Sequence, residues 1–291
     1  MNFLIYIILY PFIWIISKSS FRLIYLFSDF LYIILYHVIS YRKKLVGKNL
    51  ALAFPEKTLS ERKIIESKYY KHLSDLFLES FKSLNISEVD IKKRYSFKNI
   101  ELLDELYKKK RNIILMGGHY ASWEWFFIID RLTDYKINAI YKKLSNKYFD
   151  SLIKKIRSKY NGNLISTKNT FKEILKNTKL KGLNIYGFAS DQSPKKNKAT
   201  YWNNFLNNLV PFHTGAEIIA KKYDMAVVYM NVEKVKRGYY LASFELITDK
   251  PTKHKDFKIT EDFIKLLENQ IFKAPEYYTW THNRFKHRKT N

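Results

Sequence analysis

Cysteine is missing from the chain altogether. This absence excludes disulfide bonds, cysteine-ligated zinc sites and any thiol nucleophile. It does not fix the compartment, although a reducing cytoplasm imposes no need for cysteine pairs. Internal repeats and low-complexity linkers are also missing, while a hydrophobic share of 46% over 291 residues suffices for a large core. We therefore expect a folded globular body and not a disordered chain.

Acidic residues are scarce. The 27 Asp and Glu residues stand against 52 Lys and Arg residues, which gives a formal net charge of +25. Such an excess favours an anionic partner, either nucleic acid or the phosphate headgroups of a membrane. The chain is also rich in Lys, Asn, Ile, Tyr and Phe, a composition typical of A+T-rich genomes. Part of the positive charge therefore needs no partner to explain it.

A clean membrane-spanning run is missing as well. Residues 3–16 carry no charge, and residues 21–41 form a second apolar run that Arg22 and Asp29 interrupt, whereas a spanning helix needs about 20 apolar residues. A cleavable signal peptide is disfavoured because no basic segment precedes the first run and no small-x-small site follows it. We predict that residues 1–41 are a membrane anchor, either one bent span or a shallow helical hairpin.

The basic segment YRKK at residues 41–44 closes the second apolar run. Positively charged flanks of membrane segments stay in the cytoplasm. We therefore expect residues 42–291 to form a single domain on the cytoplasmic face of the membrane.

The first part of that domain, residues 42–90, has a helical pattern. Thr58 is followed three residues later by Glu61, which is a capping box, and apolar residues then recur at helical spacing. Beyond it, short apolar runs alternate with amphipathic stretches, which favours an α/β fold with a mixed, mainly parallel sheet flanked by helices. The predicted strands are residues 112–116, 136–141, 163–165, 183–188, 226–232 and 239–247, and the predicted helices are residues 121–132, 146–160, 169–177 and 259–272.

The segment GGHYASWEWFF at residues 117–127 places His119 five residues before Glu124. On a continuous helix that step rotates by about 140°, so the two side chains would not share a face. They can meet only if His119 lies in a loop before a helix that begins near Ala121, and Gly117 and Gly118 permit such a turn. This loop would lie beyond the carboxyl end of a strand, where ligand sites form in such sheets.

A carboxylate bonded to one ring nitrogen of His119 would fix its tautomer and leave the other nitrogen free to accept a proton. The alternative is a histidine with a purely structural hydrogen bond. No H-E-x-x-H motif supports a zinc peptidase, and Ser122 lies in no G-x-S-x-G elbow. Without an evident covalent nucleophile, a histidine base suits direct attack by a substrate hydroxyl.

GGHYASWEW resembles the H-x4-D/E motif of the glycerolipid acyltransferase superfamily, and specifically the lipid A biosynthesis (late) acyltransferases of the Kdo-lipid A lauroyl/myristoyl transferase type. The resemblance continues through further blocks in the family's order. These are NLALAFPEKTLSER (49–62), AIYKKLSNKYFDSLIKKIRSKY (139–160), GFASDQSP (187–194), NNFLNNLVPFHTGAEIIAKKY (203–223) and EYYTWTHNRFK (276–286).

The resemblance implies an O-acyltransferase that moves a fatty acyl chain from acyl-acyl carrier protein to a hydroxyl of a lipid A precursor. His119 would be the general base and Glu124 would orient it. Arg157 would bind a phosphate or stabilise the oxyanion, the alternative being a solvated charge on a lysine-rich helix. No metal and no small cofactor is implied, and nucleic acid is not an expected partner.

Four further residues are implied to contact substrate. Asp191 and Gln192 follow a strand, where a turn-forming role is the alternative, and Thr214 and Glu217 begin a helix, where capping is the alternative. Trp280, His282 and Arg284 in the last block are expected to be structural.

The chain also departs from the family pattern, with YKK at residues 141–143 where an arginine is commoner and DQSP in place of DxDxG-like versions. These departures leave open another lipid acceptor, such as a lysophospholipid, an aminolipid or a glycolipid. The alternative from a different class is a membrane-tethered nucleic-acid-binding protein, prompted by the charge and by 23 Tyr and 21 Phe. Against it, the aromatic residues fall mostly on apolar runs, and no RNA-binding or zinc-finger pattern occurs.

Overall fold

The computed structural model describes residues 2–289. Seven strands form one sheet in the order β1-β9-β8-β2-β5-β3-β4, and β6 and β7 form a separate antiparallel hairpin. The strands are β1 (Tyr95–Lys98), β2 (Ile113–Gly117), β3 (Lys136–Tyr141), β4 (Asn163–Ser166), β5 (Asn184–Ala189), β6 (Tyr201–Phe205), β7 (Asn208–Phe212), β8 (Ala226–Lys236) and β9 (Tyr239–Thr248).

The sheet is mainly parallel. Strands β8, β2, β5, β3 and β4 run in one direction, and only β9 and its neighbour β1 run in the other. All five residues of the central strand β2 are buried, as expected for a strand covered on both faces by helices. The predicted fold class is confirmed. Strand β1 and the β6–β7 hairpin were not predicted, because their short polar-aromatic sequences lack a run of apolar residues.

Ten α-helices accompany the strands in the described part of the chain. They are α1 (Asn2–Lys18), α2 (Phe21–Ile33), α3 (Lys43–Ala53), α4 (Leu59–Lys82), α5 (Glu88–Arg94), α6 (Glu101–Lys108), α7 (Lys147–Arg157), α8 (Thr170–Thr178), α9 (Gly215–Lys222) and α10 (Lys258–Lys273). The predicted capping box at the start of α4 is confirmed, since the Glu61 backbone nitrogen donates to Thr58 Oγ1 at 3.3 Å and the Thr58 nitrogen donates to Glu61 Oε2 at 2.7 Å.

The apolar front consists of α1 and α2, which are separated at Ser19 and Ser20 and both pack against α4. Helix α2 continues into a π-helical turn at Ile34–Val38. Within the described residues, Phe21–Val38 is the one helical stretch that is long and apolar enough to cross a membrane, and Phe3–Lys18 is a shorter apolar helix. The outer faces expose large apolar side chains such as Leu4, Phe12 and Leu26. The division into an anchor at residues 1–41 and a domain at residues 42–291 stays a prediction.

The prediction of a helix from Ala121 to residue 132 is wrong. Ala121 has a left-handed backbone conformation with φ 48°, which is unfavourable in an α-helix. Its backbone nitrogen donates to the carbonyl oxygen of Tyr277 and not to a helical neighbour. The chain therefore continues as a loop to Glu124 and forms a 3-10 helix only at Trp125–Arg131.

Candidate active site

His119 and Asp191 occupy equivalent positions beyond two neighbouring parallel strands. In the register of β2 with β5, the last residues Gly117 and Ala189 are paired. His119 and Asp191 each lie two residues further along, so the strand pairing itself brings them together. The expectation that His119 lies in a loop at the carboxyl end of a strand is confirmed, and this is the edge of a parallel sheet where ligand sites form.

The imidazole of His119 bonds to the Asp191 carboxylate, with Nδ1 and Oδ1 2.7 Å apart. The Asp191 side chain is 1% exposed and the His119 side chain 25%, so that the carboxylate lies beneath a ring that solvent can reach. Burial acts to lower the pKa of His119, but the negative charge of Asp191 and its hydrogen bond outweigh burial and raise it. In Asp191, burial acts to raise the pKa, and the attraction of His119 overcomes it and lowers the pKa.

Glu124 does not bond to His119, which corrects the expected contact. Its two carboxylate oxygens accept from Arg157, Oε2 from Nε at 2.9 Å and Oε1 from Nη2, in a forked ion pair. The reason is the position of Glu124 at the start of the 3-10 helix, opposite the last residue of α7. The pair remains close enough to His119 for both charges to act on its pKa, with Arg157 lowering it and Glu124 raising it.

Gln192 lies against the imidazole. Its side-chain nitrogen is 3.5 Å from both ring nitrogens of His119, at the limit of hydrogen bonding. The structure therefore brings together four residues that the sequence singled out, namely His119, Arg157, Asp191 and Gln192, with Glu124 attached through Arg157. We call these five residues the His119 cluster.

Thr214 and Glu217 are not in hydrogen-bond contact with the His119 cluster among the described residues. Glu217 Oε2 accepts from the backbone nitrogen of Thr260 at 2.9 Å and from its hydroxyl at 2.6 Å, which ties α9 to α10. Thr214 precedes α9 without capping it through its side chain. That Thr214 and Glu217 contact the substrate stays a prediction. Its support is the proximity of His213, the residue before Thr214, to Asp191.

The C-terminal segment holds the loop that carries His119. Thr279 donates to the carbonyl oxygen of His119 from its backbone nitrogen at 3.1 Å and from its hydroxyl at 2.8 Å. A Cβ on Gly118 would lie 2.6 Å from Leu267 Cδ1 of α10, so any larger residue would have to displace this buried side chain. The loop is thus fixed from two sides, and the position of the imidazole is set by the fold and not by the loop alone.

A second layer of polar residues supports Asp191. Tyr278 is fully buried and its hydroxyl interacts with both Asp191 and Arg284. Arg284 is 1% exposed, and its Nη1 donates to Ser193 Oγ at 3.0 Å and to the carbonyl oxygen of Pro211 at 3.1 Å. His282 Nε2 accepts from the Ser193 nitrogen at 3.2 Å.

The expected structural role of His282 and Arg284 agrees with these contacts. No sequence pattern singled out Tyr278 in advance. The signal that could have identified it is its place in the last family block, beside the residues that were named.

The chemistry available at the cluster is that of a base beside a fixed cation. Because Nδ1 of His119 faces Asp191, Nε2 is the nitrogen that can accept a proton from a substrate. The Arg157 ion pair uses Nε and Nη2 and leaves Nη1 outside it. Within residues 2–289, no group of three or more His, Asp or Glu side chains has an arrangement that could hold a metal ion.

Comparison with known proteins gives a consistent result. The family model described as bacterial lipid A biosynthesis acyltransferase matches residues 2–287. The lipid A biosynthesis palmitoleoyltransferase of Escherichia coli (strain K12) is 23% identical over 251 residues, which cover 85% of this chain and 79% of that protein. The lipid A biosynthesis lauroyltransferase of the same strain is 23% identical over 279 residues, covering 95% and 89%. The family match includes the apolar front and the whole His119 cluster.

Proposed function

The chain belongs to the bacterial lipid A biosynthesis acyltransferases, as its sequence blocks predicted, and from this membership we propose its donor, its mechanism and its location. It transfers a fatty acyl chain from acyl-acyl carrier protein to a hydroxyl of a lipid A precursor. The observation that carries this proposal is the 2.7 Å contact between His119 Nδ1 and the buried Asp191 carboxylate, because it prepares Nε2 to act as a base. Membership of an acyltransferase family speaks against the nucleic-acid-binding alternative.

In the proposed reaction, Nε2 of His119 accepts the proton of the acceptor hydroxyl while the oxygen attacks the thioester carbonyl carbon. The resulting oxyanion intermediate collapses, the carbon–sulfur bond breaks, and the carrier thiolate takes the proton from the imidazolium. The products are the ester and the free thiol of the carrier. Asp191 stabilises the imidazolium that forms between the two proton transfers. This role, which the sequence assigned to Glu124, is now proposed for Asp191.

Arg157 is proposed to stabilise the oxyanion or to bind a phosphate of the acceptor, and Glu124 to hold its guanidinium in place. An arginine in a forked ion pair has a fixed orientation, which is what electrostatic stabilisation of a transition state requires. Gln192 is proposed to contact polar groups of the substrate beside the imidazole. Thr214, which precedes α9, and Glu217 within α9 are still proposed to bind substrate, because His213 beside them lies near Asp191.

The enzyme is proposed to be bound to the inner membrane through residues 1–41, with its active site on the cytoplasmic side. The apolar outer faces of α1 and α2 support this location. The positive charge of the chain suits both an acidic carrier protein and a phosphorylated lipid. An acceptor other than a lipid A precursor, such as a lysophospholipid, an aminolipid or a glycolipid, would keep the same chemistry.

The test uses the full-length protein in detergent with acyl-acyl carrier protein and candidate acceptors, with products identified by mass spectrometry. We expect an acylated lipid A precursor, and we expect His119→Asn to lower the rate at least about 100-fold. The matched control is His254→Asn, because the His254 side chain bonds to Thr248 and, among the described residues, makes no hydrogen bond to the His119 cluster. Transfer to another lipid alone would reassign the acceptor, whereas full activity of His119→Asn would refute the mechanism.

A further inference from the structure

A cavity of about 650 Å³ opens between the start of α3 and the first turns of α4, away from the His119 cluster. Its charged lining consists of Arg42, Lys43, Lys44, Arg62, Lys63 and Glu66. Five cationic side chains therefore surround one carboxylate. We call this site the basic cavity.

Three of the five cations are held in place by contacts with the protein. Arg42 Nη1 donates to the carbonyl oxygen of Thr281 at 2.9 Å, and Arg62 Nη1 donates to the carbonyl oxygens of Phe54 and Lys57 at 3.2 and 2.6 Å. The Lys43 ammonium lies 3.7 Å from the centre of the Tyr36 ring. These contacts orient the guanidinium groups of Arg42 and Arg62. Because an arginine has five N–H donors, most of the donors take no part in these hydrogen bonds.

Glu66 can offset at most one of the five positive charges. Its side chain is buried in the floor of the cavity, where burial raises its pKa and opposes its anionic form. The charge of Lys43 and a hydrogen bond with Tyr36 act in the opposite direction. The side chains of Lys44 and Lys63, in contrast, belong to exposed residues at the mouth. An anion entering the cavity would thus meet the cations first.

Exposed apolar side chains surround the basic cavity. Val38 and Ile39, just before it in the chain, are 72% and 61% exposed, and Leu59 and Ile64 on α4 are 64% and 55% exposed. Val38 is also the last residue of the stretch that is long and apolar enough to span a membrane. Exposed apolar residues beside clustered cations are typical of a surface that inserts into the interfacial region of a bilayer. If Phe21–Val38 spans the bilayer, the cations that follow it in the chain would lie near the lipid phosphates.

We infer that the basic cavity binds the phosphate of an anionic glycerophospholipid of the surrounding bilayer. The inference rests on the membrane attachment proposed above, but not on the acyl-transfer mechanism. The bilayer is favoured over the phosphorylated acceptor as the source of the phosphate because no described hydrogen bond or ion pair joins the five cations to the His119 cluster. The apolar rim also continues directly from the span.

The experiment uses the full-length protein in dodecyl maltoside, with phosphatidylglycerol or phosphatidylcholine added and bound lipid measured by native mass spectrometry. We expect one phosphatidylglycerol per protein and no comparable retention of phosphatidylcholine. The double variant Lys44→Gln/Lys63→Gln should weaken phosphatidylglycerol binding about tenfold or more, since each lysine near an anionic surface contributes roughly fivefold. No described hydrogen bond or ion pair joins these two exposed lysines to other side chains, and Lys63 acts on Glu66 only through its charge, so the fold is expected to be unaffected.

The matched control is Lys108→Gln/Lys109→Gln, which removes the same charge from exposed residues before the amino end of β2. It should bind phosphatidylglycerol like the wild type. Equal binding by the two double variants, or equal retention of the two lipids by the wild type, would overturn the inference. A raised KM for the lipid A precursor with unchanged phosphatidylglycerol binding would assign the cavity to the acceptor instead. Loss of acyl transfer alone, with lipid binding intact, would bear only on the proposed function.

Discussion

The His119 imidazole and the Asp191 carboxylate lie 2.7 Å apart although 72 residues separate them in the sequence. Their contact follows from the pairing of β2 with β5, which aligns Gly117 with Ala189. Two loops that leave neighbouring parallel strands at the same level must begin side by side. The imidazole and the carboxylate are therefore positioned by the buried strands of the sheet.

Replacing Asp191 with Asn should change the pH dependence of catalysis. A neutral imidazole is needed for the base, so kcat/KM should fall as the pH drops through the pKa of His119, which Asp191 raises. Without the carboxylate charge, burial and Arg157 lower the pKa of His119 against the smaller opposing effect of Glu124. We expect the acidic limb of the profile to move to lower pH and the maximal rate to fall about 100-fold or more.

The pH profile of kcat/KM for Asp191→Asn measures this effect. The control is Asp134→Asn, which makes the same substitution at an exposed residue. An acidic limb that stays at the wild-type pH in Asp191→Asn would mean that His119 is not the group titrating in catalysis.

The Glu124–Arg157 pair should behave as one unit. Both side chains are largely buried, 11% and 20% exposed, so removing one leaves the other without its partner in a poorly solvated position. Glu124→Gln and Arg157→Gln should each lower stability by about 2 kcal/mol and reduce kcat more than they change KM for the carrier. The double variant should lose much less stability than the sum of the losses in the two single variants.

A double-mutant cycle on melting temperature and on kcat measures this coupling. Strictly additive effects would contradict the pairing.

Gly118→Ala should damage the site through packing. The new Cβ would lie 2.6 Å from Leu267 Cδ1 in the buried interior, and overpacking of this kind costs about 1–3 kcal/mol. Because His119 is the next residue, the strain should also displace the imidazole and lower kcat in the protein that remains folded. Thermal unfolding and active-site kinetics of the purified variant test both effects.

Gly215→Ala is the appropriate comparison, because nothing lies within 4 Å of a Cβ there. That change in α9 should be neutral or stabilising by up to about 1 kcal/mol. If both alanine variants behave alike, steric contact with Leu267 is not the reason for Gly118.

The sequence identified residues that lie together in the His119 cluster, but it did not identify their contacts. The local spacing of His119 and Glu124 suggested a direct bond, whereas the bond forms with Asp191, which only the register of two distant strands could identify. The parallel sheet was predictable because its strands are continuous apolar runs between helices. The β6–β7 hairpin was not, since Pro211 and a series of Asn residues obscure any apolar run. Tyr278 was missed for a similar reason, because its role depends on a buried contact and not on a pattern.

Glu79 should make stability depend on pH. This buried carboxylate of α4 accepts hydrogen bonds from Tyr25 at 3.0 Å and Tyr240 at 2.8 Å, and so joins the apolar front to β9. Burial, followed by the repulsion of Asp75, raises its pKa to about 7, against the opposing effects of Lys234 and the two tyrosines.

A raised pKa in a carboxyl group means that the folded state binds the proton more tightly than the unfolded state. The protonated Glu79 carboxyl therefore stabilises the fold below its unfolded pKa of about 4.5. This contribution is lost as the pH rises to its folded pKa of about 7. Glu79→Gln keeps a neutral polar side chain at all pH values. As the pH rises from 4.5 to 8, the free energy of unfolding of this variant should increase by on the order of 3 kcal/mol relative to that of the wild type.

Melting temperatures of the two proteins in detergent across this range, with exposed Glu56→Gln as the control, measure the difference. If the melting temperatures of the two proteins differ by the same amount at every pH, Glu79 is ionised in the folded protein throughout this range. The charge of Lys234 would then outweigh the effect of burial on the pKa of Glu79.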